Sequence, residues 1–173
     1  MSRPVVVLLA CLAAFAVAGC GAKALPVQTL PTGQLTQGQY EDAFDKSAVG
    51  LAPKYGVGKP LDPDATAAAQ AAHVDGLQKL LREWASRLEG LHPPAAAAPA
   101  QARYVAGIRS FAVDLDRAKA ALRAGDVKGA NRLLSTGTIV SARTRADLVA
   151  ARRAFHSLGY SLEDLDKSPV TTD

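Results

Sequence analysis

The sequence predicts an all-α protein: an antiparallel helical bundle of three long helices plus a shorter N-terminal fourth helix. Three observations predict it. Alanine dominates the apolar residues, which make up 49% of the 173 residues, while aromatics are only 5%. An alanine-rich chain poor in β-branched residues favours helices. Three stretches repeat apolar residues at alternating spacings of three and four, the pattern of a packed helical seam. Pro, Gly and Asp residues stand where those seams should start and stop.

The first predicted helix covers residues 37–54, with Thr36 as its cap and Tyr40, Phe44, Ala48, Leu51 and Tyr55 on one stripe. Gly50 weakens its last turn, and Gly56 to Pro60 breaks it. The second begins at Asp62-Pro63-Asp64, where Asp62 can cap, Pro63 suits the first turn and Asp64 complements the helix dipole. Its seam is Val74, Leu77, Leu81, Trp84, Leu88 and Leu91, and it ends at His92-Pro93-Pro94, because a residue before proline avoids the helical region. The third starts within residues 95–100, carries Tyr104, Ile108, Phe111, Leu115, Ala118 and Leu122, and stops at Gly125. Asp126 launches the fourth at once, so the third and fourth must form an antiparallel hairpin.

The seam of the fourth helix opens with Val127, Ala130 and Leu134 and resumes in the same phase with Leu148, Ala151, Phe155 and Leu158. Between them it carries Gly137, Ser141 and Thr144, and Gly159 closes the helix. The three long helices are about 29–33 residues each, or roughly 45 Å at 1.5 Å per residue. Two alternatives stay open: a three-helix bundle with the first helix loosely docked, and a bundle whose fourth helix splits near Gly137. The bundle domain spans 37–159, and 160–173 reads as an acidic, partly disordered tail. Residues 121–130 resemble the inter-helix turn of tetratricopeptide-like hairpins, but the pattern does not recur at the roughly 34-residue repeat such proteins need.

Residues 1–19 have the three parts of an export signal. One positive charge, Arg3, precedes an uncharged stretch from Val5 to Val17, and small residues, Ala18 and Gly19, follow. The stretch is too short for a bilayer core, which needs roughly 20 apolar residues. Val17-Ala18-Gly19-Cys20 resembles the lipobox of bacterial lipoproteins at every position. The resemblance implies cleavage between Gly19 and Cys20, diacylglycerol on the Cys20 sulfur, and a mature chain beginning at Cys20. An ordinary secretory signal with a chance cysteine is the competing reading. Two or three acyl chains at about 0.8 kcal/mol per buried CH₂ make release from a membrane rare. Gly21, where an Asp would retain the chain at the inner membrane, permits outer-membrane sorting if the cell has an outer membrane. Residues 20–36 then form a tether on the extracytoplasmic face. Cys11 leaves with the leader, so the exported domain has no disulfide to lean on.

The formal net charge is +4, too mild for a nucleic-acid binder. Charge is uneven: 62–91 holds five acids and three bases, 95–159 holds eleven bases and four acids, and 160–173 holds four acids and one base.

Chemistry-bearing patterns are scarce. Ser141 and Thr144 put hydroxyls on the inner seam beside a poor helix stretch, Ser135 to Thr138. They either line a small polar cavity or bond back at a simple bend. Arg145, Arg152 and His156 share one helix face. They either meet an anionic surface or form a solvated face paired with Asp75, Glu83 and Glu89 of the second helix. His73, His92 and His156 lack zinc-type spacing, so no metal and no cofactor is expected. No catalytic residue is expected either, since no nucleophile stands beside a base.

The expectation is a non-enzymatic, lipid-anchored envelope protein that binds or scaffolds. Its partners are the membrane, through the N-terminal lipid, and an unknown envelope protein or lipid. In composition and layout the chain resembles small alanine- and arginine-rich lipoproteins of high-GC bacteria. The alternative is a carrier or sensor holding a small apolar or lipid ligand between its helices.

Overall fold

The computed structural model describes residues 33–57, 64–162 and 165. The expected leader, Gly19, Cys20 and the expected tether as far as residue 32 lie outside the described residues, as do Asp62, Pro63 and most of the segment read as an acidic tail. The described residues form α-helices and no strand. The helices are α1 (Gln37–Ser47), α2 (Leu51–Lys54), α3 (Ala67–Glu89), α4 (Ala98–Asp114), α5 (Asp116–Arg123), α6 (Val127–Ser135) and α7 (Ala142–Ser157).

Local chemistry sets most of these boundaries. Thr36 starts α1 with a capping box: its hydroxyl accepts from the Gln39 N–H, and the Gln39 side chain accepts from the Thr36 N–H at 3.0 Å. Gly50, at φ +79°, separates α1 from α2, so the first predicted helix is two. The second predicted helix starts later than expected. Thr66, not Asp62, caps α3, its hydroxyl accepting from the Ala69 N–H at 3.2 Å. Gly125, at φ +78°, ends α5, and the Asp126 carboxylate then accepts from the Gly129 N–H at 2.8 Å to start α6.

The fourth predicted helix splits near Gly137, which adopts φ +70°. Just before it, Ser135 and Thr136 donate their hydroxyls back to the Arg132 carbonyl. The break turns Ile139 and Val140 inward, to 1% and 6% exposure. The third helix has a gentler discontinuity at Leu115, between α4 and α5. The two irregularities lie side by side: Asp114 accepts from the Ser141 N–H at 2.8 Å, and Arg117 donates to the Thr138 carbonyl at 3.2 Å.

Packing follows the seams. All six seam residues of the second predicted helix are buried, Leu91 just past the end of α3, as are Tyr104, Ile108, Leu115, Ala118 and Leu122 along α4 and α5, whereas Phe111 is only partly buried. α4 lies antiparallel to α3, with Gln101 near Leu88 and Gln78 bonded to the Ala112 carbonyl. α7 lies antiparallel to α4, where Leu148 fits against Gly107. A Cβ on Gly107 would come within 2.7 Å of the Leu148 Cδ2, so only glycine allows this approach. α1 runs antiparallel to α3, with Leu35 bonded to the His92 carbonyl and Ser47 to Trp84.

Six aromatic side chains join α1, α3, α4, α7 and the segment after Gly159. Phe155 of α7 meets Tyr40 and Phe44 of α1 at ring separations of 6.1 and 6.0 Å, and Phe44 continues to Tyr104 at 5.4 Å. Trp84 stands edge-on to Tyr104, and Tyr160 edge-on to Phe155. α1 is therefore a packed member of the core. The domain also runs past Gly159: Tyr160, Leu162 and Leu165 are buried at 6%, 1% and 1% exposure. Leu158 falls outside the core at 39% exposure, because the helix ends and Gly159, at φ +78°, turns Tyr160 inward in its place.

Candidate functional site

Ser141 and Thr144 are drawn into a hydrogen-bonded relay with Asp114. Ser141 is the N-cap of α7, its hydroxyl accepting from the Thr144 N–H at 3.2 Å. That hydroxyl donates to the Thr144 Oγ1 at 2.9 Å, and Thr144 donates to the Asp114 Oδ2 at 2.7 Å. The Ser141 N–H reaches the same carboxylate oxygen at 2.8 Å. Thr144 is fully buried. A buried hydroxyl must be hydrogen-bonded, and a helix that restarts inside a bundle must have its free N–H groups capped. The relay meets both needs with a carboxylate from the end of α4. Next to it, Leu148 closes on Gly107.

A shallow groove does open beside the break, with a volume of about 590 Å³. Thr136, Thr138, Val140, Arg145, Ala146 and Val149 line it. Arg145 therefore borders the groove, while Ser141 and Thr144 are turned into the Asp114 relay.

Arg145, Arg152 and His156 do share a face of α7, with Arg145 and His156 exposed and Arg152 half-buried. The Arg152 Nε donates to the His156 Nε2 at 3.4 Å, which joins the last two members of the stripe. Arg145 sits two turns earlier. The acids of α3 take their cations from elsewhere. Asp75 pairs with Lys119, Glu83 with Lys54 and Arg87, and Glu89 with Arg109. None of those cations is on α7. The expected pairing of the stripe with α3 is replaced by these, because α4 stands between α3 and α7.

The strongest electrostatic cluster was not visible in the sequence. Glu83 accepts from Lys54 at 2.5 Å, from Arg87 at 2.8 Å and from the Tyr55 hydroxyl. The Lys54 hydrogen bond, then the Tyr55 one, pull its carboxyl from the ordinary 4.5 to about 2. Its side chain is 22% exposed. A depressed carboxyl adds stability above its unfolded value and loses that stability as pH falls through the folded value. Glu83→Gln should therefore lower the melting temperature at pH 7. Its deficit should shrink as pH drops from 4.5 and vanish near about 2. A deficit of the same size at pH 2 and pH 7 in thermal melts contradicts the cluster.

The other titratable groups also serve structure. Asp114 and Asp116, two apart on the chain, face different neighbours: Asp114 holds α7, and Asp116 accepts from Gln78 at 2.8 Å. Burial lowers the His73 pKa, and its Nε2 is buried without a partner. Burial likewise raises the Tyr40 pKa. Among the described residues, no group of three His, Cys, Asp or Glu side chains is placed to hold a metal ion. Nor is any described helix long and apolar enough to cross a membrane. No protein-family model, curated protein or solved structure matches this chain.

Proposed function

We propose that the chain is a bacterial envelope lipoprotein: exported, cut before Cys20, and held at the extracytoplasmic face by lipid on the Cys20 sulfur. The bundle acts by binding or scaffolding rather than by catalysis. In this reading α3, the α4–α5 arm and the α6–α7 arm are the three long members of the bundle, and α1–α2 is the shorter fourth.

One observation carries the proposal: a complete Val17-Ala18-Gly19-Cys20 lipobox directly after a short uncharged stretch with Arg3 before it. The use made of the polar groups supports the non-catalytic part. Glu83, Asp75, Asp114 and Asp116 are each committed to ion pairs or hydrogen bonds that join helices. A general base or nucleophile needs a partner aimed at a reacting atom, whereas these groups are aimed at one another.

Cys20→Ala tests the anchor. The wild-type chain should take up labelled palmitate and sediment with membranes. The variant should take up no label and accumulate with its leader attached. Equal labelling of the two chains contradicts the proposal.

A further inference from the structure

We propose that one end of the bundle rests on the bilayer surface: the charge-poor end at which the tether enters. The inference builds on the lipid anchor at Cys20 and adds the orientation of the domain and the surface that meets the lipid.

The chain enters the fold at a defined place. Leu35 donates its N–H to the His92 carbonyl at 2.8 Å, and the Gln37 side chain donates to the Gly159 carbonyl at 2.9 Å. These bonds put the start of α1 beside the α3–α4 connection and the end of α7. Fourteen residues lie between Cys20 and Leu35, a reach of at most about 50 Å. A tether of that length keeps the domain close to the membrane but does not orient it.

The difference between the two ends does. Three segments meet where the tether enters: residues 33–40, 90–102 and 154–162. In a chain with 21% charged residues, none of the three contains an Asp, Glu, Lys or Arg, and charges that border them are partnered: Glu41 accepts from the Ser161 N–H at 3.0 Å, and Glu89 pairs with Arg109. The middle segment exposes His92, Ala95, Ala96, Ala98 and Pro99, and the last exposes Leu158. The opposite end is the turn around Gly125, where Arg123, Asp126 and Lys128 are all exposed. Charged side chains lose hydration when pressed against headgroups and hydrocarbon, whereas small apolar groups gain by it. A weak preference suffices, because the anchor makes docking intramolecular and raises the effective concentration of lipid at the domain.

The surface is matched to a bilayer rather than to an anionic polymer, since its own segments carry no Lys or Arg and Arg109, which borders Pro93 and Ala98, is paired with Glu89. Contact should therefore persist on neutral lipid, unlike contact through the basic face of α7, which would need anionic headgroups and weaken with salt.

The test uses the chain purified from its own membranes, with the acyl mass on Cys20 checked first, and reconstituted into phosphatidylcholine vesicles with and without phosphatidylglycerol. A photo-crosslinking amino acid replaces Ala96, Leu158 or Ala124, all exposed positions whose substitution leaves the core intact. Lipid adducts should form at Ala96 and Leu158 on both vesicle types and be absent at Ala124. Adducts at Ala124 as abundant as at Ala96, no lipid adduct at any position, or adducts only with phosphatidylglycerol would overturn the proposal while leaving the anchor standing. Absence of the acyl mass would overturn the anchor and this orientation together.

Discussion

Trp84→Ala should destabilise the domain by about 3–5 kcal/mol. Trp84 is 7% exposed and stands edge-on to Tyr104 with ring centroids 5.9 Å apart. Its indole Nε1 donates to the Ser47 Oγ at 2.7 Å, and Ser47 in turn donates to the Phe44 carbonyl at 2.6 Å. Removing the ring empties the space between α1, α3 and α4 and takes away the donor to a hydroxyl that is itself 1% exposed. Both losses act in the same direction, since cavity creation and an unmade buried hydrogen bond each cost stability. Trp84→Phe keeps most of the volume and loses only the hydrogen bond, so it should recover most of the stability. Urea unfolding followed by circular dichroism measures both variants. A change below about 1 kcal/mol for the alanine variant would mean that α1 does not seal this face.

Phe155→Ala should cost a similar amount, about 3–5 kcal/mol, for a different reason. Phe155 is fully buried and touches Tyr40, Phe44 and Tyr160, so one ring ties α7 to α1 and to the segment after Gly159. Its loss should loosen both ends of the described chain, read as faster amide exchange in α1 as well as lower global stability. Leu158→Ala is the control. It lies three residues later on the same heptad stripe, yet it is 39% exposed and its truncation should change stability by less than about 0.5 kcal/mol. Equal effects at Phe155 and Leu158 would contradict the aromatic core.

The same pair shows how far the sequence could be read. Apolar residues at heptad spacing marked the buried face along the whole of α3 and most of α4, where Phe111 is the partly buried exception. Short-range signals marked turns well: Thr36, Gly125 and Asp126 act as the residue types suggest. The break in the fourth helix was ambiguous for a physical reason. Leu134 and Leu148 are two heptads apart, so the seam keeps its phase whether or not a helix connects them. The signal was Ile139 and Val140, two apolar residues out of phase with the seam and buried in the break. Tyr160, Leu162 and Leu165 were concealed by the acids around them, since net charge describes a segment and burial acts on single side chains.

Functional legibility divides differently. The resemblance to a lipobox rests on a contiguous motif, so it is readable without a fold. The Glu83 cluster was not readable, because Lys54 and Tyr55 come from 29 and 28 residues earlier and no local spacing joins them. Nor could the Asp114 relay be seen, because it needs the end of α4 and the start of α7 to meet. The hydroxyls of Ser141 and Thr144 marked an inward polar site, and the carboxylate that satisfies them came from another helix.

The central claim is that Cys20 is the acylated first residue of the mature protein, and mass measurement of the N-terminal peptide from native membranes tests it most directly. The account predicts a peptide that starts at Cys20 and carries a diacylglyceryl group on sulfur. A chain that keeps residues 1–19 and bears no acyl mass on Cys20 would contradict it.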